Sequence, residues 1–382
     1  MHLMILGTRG IPARHGGFET FAQDLSLFLT SRNHTVTVYC QAQSDASAFA
    51  DEWQGVQRVH IPSANSPVGT VSFDWAATRH SSARDGVVLT LGYNTGVFSL
   101  LYRLRHLPSV MNMDGIEWKR EKWSFAQRSW LRLNEWAGAR FANHLVADHP
   151  EIAAHLRSHT RAKKITVIPY GADAVNSAST ELLAEFNLTS KGYNLLIARP
   201  EPENSILEIV RACSSPRLRV PLVVLGDYSQ GRNYQRQVLG AAGENVKFVG
   251  AIFDREIVRA MRYHASAYIH GHRVGGTNPS LVESLAAGNA IIAHDNRFNR
   301  WVAGESQRFF KGSDDLVEIL HSLEENAGQL SQMREASRLR HQEEFTQEKV
   351  LLAYESVLMR VAAGARVEVG EVPAQGPAGR WS

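Results

Sequence analysis

A glycine-rich turn that leads into a helix start is the part of this chain best suited to chemistry. Residues 275–288 read GGTNPSLVESLAAG, between the strand-like runs 267–270 and 290–293. Glycines let a ligand approach the backbone, and an Asn-Pro pair favours the first turn of a helix. The exposed N–H groups and the dipole of such a helix start attract a diphosphate. The sequence therefore predicts a nucleotide-sugar site formed by Gly276, Thr277, Asn278, Pro279 and Ser280, with Glu283 placed to accept from a sugar hydroxyl. The alternative is a plain strand–helix unit in which Glu283 is only solvated.

A second glycine loop follows the first strand, where residues 6–20 read LGTRGIPARHGGFET. Gly16, Gly17 and Phe18 at the start of the next helix form a candidate cradle for phosphate or a hydroxyl-rich ligand, and Arg9 adds positive charge. The loop does not spell the dinucleotide-binding pattern G-x-G-x-x-G, and no acid closes the second strand. These departures argue against a nicotinamide oxidoreductase. A generic strand–helix turn is the alternative.

The elements that must position these loops alternate between strand and helix patterns, which is typical of parallel α/β sheets. We expect strands near 2–8, 35–41, 56–61, 87–93, 109–114, 145–147 and 165–169, then near 193–199, 222–226, 247–250, 268–270 and 291–294. The polar stretch 170–189 resembles a hinge. One or two charged helices should follow at 314–344.

Bulk properties agree with a globular protein of two domains. The chain has 382 residues with 44% hydrophobic and 21% charged residues, which is ordinary for such a protein. Cys40 and Cys213 are its two cysteines, so neither a disulfide framework nor a cysteine-based zinc site is expected. Strand-like residues at the start argue against a signal peptide, and no apolar run is long enough to span a bilayer.

Charge is distributed unevenly along the chain. Residues 1–168 hold 18 Lys/Arg and 13 Asp/Glu, a net +5, and the remainder has a net −2, which gives the total of +3. A modestly basic first half fits an acidic ligand or an anionic membrane surface. The excess is too small to predict nucleic-acid binding.

Five motifs in order resemble the retaining glycosyltransferases of family 4, over residues 3 to about 360. They are the turn 275–288, the segment ARPEPEN at 198–204, IPYGAD at 168–173, VLGD at 224–227 and VKFVG at 246–250. The resemblance implies two Rossmann-like domains facing across a cleft, the GT-B fold, with a last helix that crosses back to the first domain. The boundaries implied are 1–170 for the acceptor domain, 171–345 for the donor domain, 346–361 for the crossover helix and 362–382 for a disordered tail.

The same resemblance implies donor-binding residues in the second half. Arg199 corresponds to an arginine that binds the diphosphate and stabilises the leaving group, a task that suits a planar guanidinium. Asn204 stands where the family usually has a lysine, so an arginine of the first half would have to supply that charge. Gly171 and Gly226 belong to the matching hinge and turn. Glu283 matches the second of two family glutamates, and Gly275 replaces the first.

A further departure concerns the strand end VMNMDGIEWKR at 110–120. Met113 occupies the place of a family histidine that approaches the 6-hydroxyl of the donor sugar, and Asp114 that of an acid. A thioether packs well on a methyl group, so we expect a 6-deoxy sugar, rhamnose above all. Resemblance to a bacterial subgroup that includes rhamnosyltransferases for surface polysaccharides favours dTDP-rhamnose. A UDP- or GDP-hexose donor is the alternative.

The resemblance implies front-face attack with retention, in which the departing phosphate oxygen takes the acceptor proton. Asp114 or Glu117 would orient the acceptor or assist as a base, and Arg199 would complete the catalytic set. No metal and no cofactor beyond the substrate are expected, and His264, His270 and His272 lack a carboxylate spaced as a metal partner. An epimerase on the same fold and an inactive binding homologue remain rival interpretations.

Aromatic and basic residues alternate in the segment 118–140. Trp118, Trp123, Trp130 and Trp136 stand among six lysines and arginines, which favours a membrane-surface patch that brings the enzyme to a lipid-linked saccharide. The alternative is a core stripe of Trp130, Leu133 and Ala137 beside a solvated basic face. The expected partners are thus a nucleotide-sugar donor and a glycan or lipid-linked acceptor. We expect a cytoplasmic protein that contacts the inner face of the membrane.

Overall fold

The computed structural model describes residues 1–13, 16–120, 123–229 and 231–364, and these form two lobes. Within the described residues, eight strands make the first sheet in the order β3-β4-β2-β1-β5-β6-β7-β8. The strand β3 runs antiparallel to β4, and the other pairings are parallel. Their bounds are β1 His2–Leu6, β2 Thr35–Ala42, β3 Phe49–Trp53, β4 Val56–Pro62, β5 Val87–Leu91, β6 Ser109–Asn112, β7 His144–Ala147 and β8 Ile165–Val167.

Helices connect these strands and cover both faces of the first sheet. They are α1 Gly17–Ser31, α2 Pro67–Ser81, α3 Ser99–Leu104, α4 Phe125–Phe141 and α5 Pro150–Leu156, with 3₁₀ turns at Gly96–Phe98, Glu117–Lys119 and Ala162–Lys164. Helix α4 begins with a capping box, in which the side chains of Ser124 and Gln127 each accept from the backbone N–H of the other. This arrangement satisfies two otherwise free N–H groups. The inner strands β1, β5 and β7 are buried almost throughout, as expected for a parallel sheet covered on both faces.

The second sheet is parallel, and its strand order in the described residues is β11-β10-β9-β12-β13-β14. Its strands are β9 Asn194–Ile197, β10 Leu222–Leu225, β11 Val246–Gly250, β12 Ala267–His270, β13 Ala290–His294 and β14 Arg308–Phe310. Its helices are α6 Ile206–Cys213, α7 Asn233–Gly240, α8 Arg255–His264, α9 Pro279–Ala286, α10 Arg297–Ala303, α11 Ser313–Glu325 and α12 Ala327–Glu344, with 3₁₀ turns at Glu181–Phe186 and Pro202–Asn204.

The last helix, α13 (Gln347–Ala362), leaves the second lobe and packs on the first. Its apolar face lies in the same buried cluster as strands β1 and β5. The Tyr354 hydroxyl accepts a hydrogen bond from Asn112 Nδ2 at 2.7 Å, in a site that excludes water. The predicted crossover of the C-terminal helix is confirmed. The expected disordered tail, 362–382, lies outside the described residues from residue 365 onward.

Two strands were not expected from the sequence. Strand β3 has the sequence FADEW and is mostly exposed at the sheet edge, so it lacks the apolar alternation that marks a strand. Strand β14 has three residues and begins with an arginine. Both are edge strands, which tolerate polar residues because one side faces solvent. None of the helices in the described ranges has the length and apolar character needed to cross a bilayer.

Candidate functional site

The carboxyl ends of both sheets meet at a cleft between the lobes, the usual place for a ligand in α/β proteins. It encloses a cavity of about 370 Å³. The first lobe contributes residues that follow β5, β6, β7 and β8, and the second lobe contributes residues that follow β9 and β12. The lining residues include Tyr93, Asp114, Glu117, Arg120, Asp148, Tyr170, Arg199, His272 and the loop 275–279.

Many of the residues expected from the sequence lie together in this cavity. The glycine loop of the first lobe and that of the second lobe face each other, with Gly17 near Pro279. Arg199 lines the same cavity and is exposed. Among the described residues, its guanidinium makes no ion pair. The predicted residues that line the cavity are Gly17, Phe18, Asp114, Glu117, Arg199, Gly276, Thr277, Asn278 and Pro279.

Glu283 and Ser280 lie beside the cavity and do not line it. Glu283 forms an ion pair with Arg262 at 2.5 Å, and its side chain is 44% exposed. Arg262 also donates to Ser280 Oγ at 3.0 Å, and Tyr268 bonds the same oxygen at 2.7 Å. Tyr268 donates in turn to the carbonyl of Ile197, close to Arg199. The first turn of α9 is thus tied to the end of β9, and sugar binding by Glu283 stays a prediction.

Asn204 stabilises the loop that carries Arg199. Its Nδ2 donates to the Arg199 carbonyl at 2.8 Å, and its Oδ1 contacts His272 Nδ1 at 2.6 Å. Both polar atoms are therefore occupied, and Asn204 does not line the cavity. Burial lowers the pKa of His272 to about 4, so this ring is neutral at pH 7 and contributes no cationic charge there.

Met113 points away from the cleft, contrary to the expectation that it packs on a sugar methyl group. It is 1% exposed and belongs to a core cluster with Tyr93 and Leu131. Met113 directly follows the end of β6 and packs into this core cluster, whereas the next residue, Asp114, lines the cavity. The resemblance aligned Met113 with the family histidine, but it did not determine the orientation of the Met113 side chain.

Four further predicted residues lie outside the cavity lining. Gly171 packs against Gln347 and Val350 of the crossover helix. Gly226 lies at the end of β10, against the carbonyl of Ala198. Gly16 is the N-cap of α1, and the backbone N–H of Arg9 donates to Glu19 at 3.4 Å. These residues shape the loops around the site.

Gly275 is favoured by its backbone conformation, and Gly276 by the lack of room for a Cβ. Gly275 has a φ of +133°, a conformation that side chains with a Cβ rarely adopt. A glutamate at this position would strain the loop as it is folded here. A Cβ on Gly276 would overlap the carboxylate of Asp148.

Asp148 is the principal site residue that sequence reasoning missed. It follows β7 and is 2% exposed. Its Oδ2 accepts from the backbone N–H of Thr277 at 2.9 Å, and its carbonyl accepts from the Thr277 hydroxyl. These bonds join the two lobes. Burial, and then the nearby Asp114, raise the pKa of the Asp148 carboxyl well above its usual range. The available signal was an acid directly after a strand, a position that Asp114 shares, although Asp114 was identified by its resemblance to a family acid.

Arg120 provides a second link between the lobes. Its guanidinium lies 2.9 Å from Glu117 in the first lobe and 3.6 Å from Glu203 in the second. The Tyr93 hydroxyl accepts from the Glu117 N–H at 2.8 Å and fixes this turn. Burial raises the pKa of Asp114, while the attraction of Arg120 opposes the shift. The cavity is therefore lined by two arginines, Arg120 and Arg199, and by three acidic residues, Asp114, Glu117 and Asp148.

The loop before α9 has two backbone N–H groups that are not used in hydrogen bonds among the described residues. Asn278 caps the helix through Oδ1, which accepts from the Ser280 N–H at 2.9 Å, and Thr277 N–H is bound to Asp148. In the described part of the chain, the N–H groups of Gly276 and Asn278 have no hydrogen-bond acceptor. Arg199 lines the same cavity, and free backbone donors beside a guanidinium are suited to a phosphate group.

Comparison with known proteins identifies the fold of this chain. Residues 1–173 match a family model described as a domain of unknown function, DUF1972. No curated protein matches the chain by sequence. Sucrose-phosphate synthase from Thermosynechococcus elongatus superposes with a TM-score of 0.79 at 16% identity, over 95% of this chain and all of that one.

Two other solved structures have the same arrangement of lobes. Anabaena HepE in complex with UDP has a TM-score of 0.71 at 16% identity, over 94% of this chain and 99% of that one. A glycosyltransferase from Rickettsia africae has a TM-score of 0.70 at 14% identity, over 94% and 98%. At these identities the likeness establishes the fold, which is GT-B.

Proposed function

We propose that this chain is a glycosyltransferase that moves a sugar from a nucleoside diphosphate to a glycan or lipid-linked saccharide. The observation that carries the proposal is that Arg199 and the start of α9 line one cavity of about 370 Å³ between the lobes. Fold-level analogy adds support, because HepE has been crystallised with UDP-glucose and shares this architecture.

The proposed reaction breaks the bond between the anomeric carbon and the terminal phosphate oxygen, and forms a bond from that carbon to an acceptor oxygen. Arg199 and the N–H groups of Gly276 and Asn278 stabilise the negative charge on the leaving diphosphate. The acceptor oxygen attacks from the face that the phosphate leaves, and its proton passes to the departing phosphate oxygen. Because attack and departure share one face, the anomeric configuration is retained.

Asp114 is the better of the two candidate acids for orienting the acceptor. Burial raises its pKa, and a carboxylate whose pKa lies closer to neutrality is a stronger hydrogen-bond acceptor for a hydroxyl. Glu117 lies 2.9 Å from Arg120 and is proposed to hold that arginine in the cavity. Arg120 is then the first-lobe cation that compensates for the lysine replaced by Asn204.

For the donor we propose dTDP-L-rhamnose. Two features support a sugar with fewer polar contacts: Gly275 offers no side chain, and the family histidine is replaced by a buried methionine. The resemblance of the segments 114–120, 198–204 and 275–283 to rhamnosyltransferases for surface polysaccharides favours this sugar. The alternatives are a UDP- or GDP-hexose.

The test uses the purified full chain with dTDP-rhamnose, UDP-glucose and a GDP-sugar, each with and without a lipid-linked saccharide, and measures release of the nucleoside diphosphate. Acceptor-dependent release is expected to fall at least about tenfold in Arg199→Ala, the loss of one charged hydrogen bond. Arg211→Ala, an exposed arginine on α6, is the matched control and should leave turnover unchanged.

Each alternative has its own outcome. Conversion of the donor sugar without an acceptor would indicate an epimerase, and absence of turnover with every donor would indicate a binding homologue. Preference for UDP-glucose would refute the deoxy-sugar assignment while leaving glycosyl transfer intact. Equal loss in Arg199→Ala and Arg211→Ala would refute the assigned role of Arg199.

We further propose that the outer face of α4 contacts an anionic membrane that carries the acceptor. Trp130, Leu133 and Trp136 are each more than 40% exposed, and Phe125 at the start of the helix is 87% exposed. The alternative interpretation was that Trp130, Leu133 and Ala137 form a core stripe. Ala137 is buried, but Trp130 and Leu133 are exposed. Exposed arginines on the same helix would add attraction to anionic lipid.

Flotation with vesicles of anionic phospholipid tests this contact. The variant Leu133→Ser/Trp136→Ser should lose binding. Met359→Ser, which removes an exposed apolar side chain of α13, should retain it. Equal flotation of the two variants, or no flotation of the wild type, would remove the membrane contact and leave the reaction proposal untouched.

A further inference from the structure

A cluster of two histidines and a glutamate lies in the first lobe, apart from the cavity lining. Glu135 on α4 is 3% exposed. Its Oε1 lies 2.7 Å from His155 Nε2 and 3.3 Å from His159 Nε2. Within the described part of the chain, this is the one group of three or more histidine, cysteine or acidic residues whose ligand atoms lie within 4.8 Å of one another.

The glutamate is held by a group outside the cluster. Trp118 Nε1 donates to Glu135 Oε2 at 2.9 Å, which leaves Oε1 directed at the two imidazoles. The Arg132 guanidinium covers the Trp118 ring at 4.2 Å. Such an outer hydrogen bond that fixes a ligating carboxylate is a regular feature of metal sites.

We propose that Glu135, His155 and His159 bind a divalent zinc ion. Two imidazole nitrogens and one carboxylate oxygen are the three protein ligands of a common tetrahedral zinc site, in which water completes the coordination. Both histidine side chains are partly exposed, at 23% and 30%, so an ion has a path from solvent. Binding requires that both Nε2 atoms are unprotonated, and therefore weakens toward acidic pH.

The proposed ion would connect three segments of the first lobe. Glu135 belongs to α4, His155 to the last turn of α5, and His159 to the turn that follows. Trp118, through its bond to Glu135, extends the connection to the 3₁₀ turn Glu117–Lys119, which borders the cavity. The site lies apart from the cavity lining, and its existence does not depend on the proposed reaction.

The experiment uses the untagged full chain after treatment with chelator. Calorimetric titration with zinc chloride should give one equivalent bound, and cobalt(II) should produce the strong visible absorption of a four-coordinate site. His159→Gln, at a partly exposed position, should weaken zinc binding at least about tenfold. The matched control is His321→Gln on α11, which removes a histidine that lies 4.0 Å from a single glutamate and should leave the titration unchanged.

A second variant separates ligand loss from misfolding. Trp118→Phe keeps all three ligands and removes the hydrogen bond to Glu135, so zinc binding should weaken about tenfold while circular dichroism stays that of the wild type. Less than one equivalent of zinc in the wild type would overturn the proposal. Equal binding by wild type and His159→Gln, or loss of binding in His321→Gln, would overturn it as well.

Discussion

The buried carboxyl of Asp148 should make the stability of this protein fall as pH rises. Its pKa is raised by burial and by Asp114, whereas an unfolded aspartate titrates near about 3.9. Between these two pKa values the folded state holds a proton that the unfolded state has lost. The stabilising contribution is therefore complete below about pH 4 and is lost as pH increases toward the pKa of the folded state.

The perturbation that isolates this effect is Asp148→Asn. In the wild type, the Thr277 N–H donates to Asp148 Oδ2 at 2.9 Å. The amide oxygen of asparagine can accept the same hydrogen bond, so the link between the lobes is retained. The variant has no ionisable group at this position. As pH rises, the unfolding free energy of the variant relative to that of the wild type should increase by up to about 1.4 kcal/mol per pH unit. For lobes of this size that corresponds to about 3 to 6 °C in Tm per pH unit.

The assay is thermal unfolding of wild type and variant followed by circular dichroism from pH 4.5 to pH 8. Asp45→Asn, in an exposed loop, is the matched control and should show a Tm difference that does not vary with pH. A constant difference between Asp148→Asn and wild type over this range would refute the argument. So would a difference that moves in favour of wild type as pH rises.

Two further predictions concern contacts that join distant parts of the chain. Gly276→Ala places a Cβ against the carboxylate of Asp148 and should force the lobes apart, so that donor turnover falls at least about tenfold. Gly240→Ala, with open space around its Cβ, is the control. Equal turnover in both variants would contradict the expectation. Tyr354→Phe leaves the buried Asn112 amide without its acceptor and should lower the unfolding free energy of the first lobe by about 1–3 kcal/mol. Urea denaturation measures this loss, and an unchanged midpoint would show that the bond contributes nothing.

The sequence by itself determined the alternation of strands and helices, the glycine loop at 275–279 and the arginine after β9. These features are local, since a strand, a helix cap or a turn depends on residues within a few positions. The direction of Met113, the positive φ of Gly275 and the bond between Asn204 and His272 were decided by packing. Resemblance aligns a position with its family counterpart, but it does not tell whether the side chain there lines the cleft or packs in the core.

Tertiary structure also decided which distant residues meet. Asp148 contacts Thr277 across 129 positions of sequence, and Arg120 reaches Glu203 in the other lobe. The histidines that approach Glu135 lie about 20 positions away, with no spacing that marks a site in advance. Such contacts depend on how two sheets and their helices pack, because the free energy of a long-range contact is set by burial and geometry rather than by local pattern.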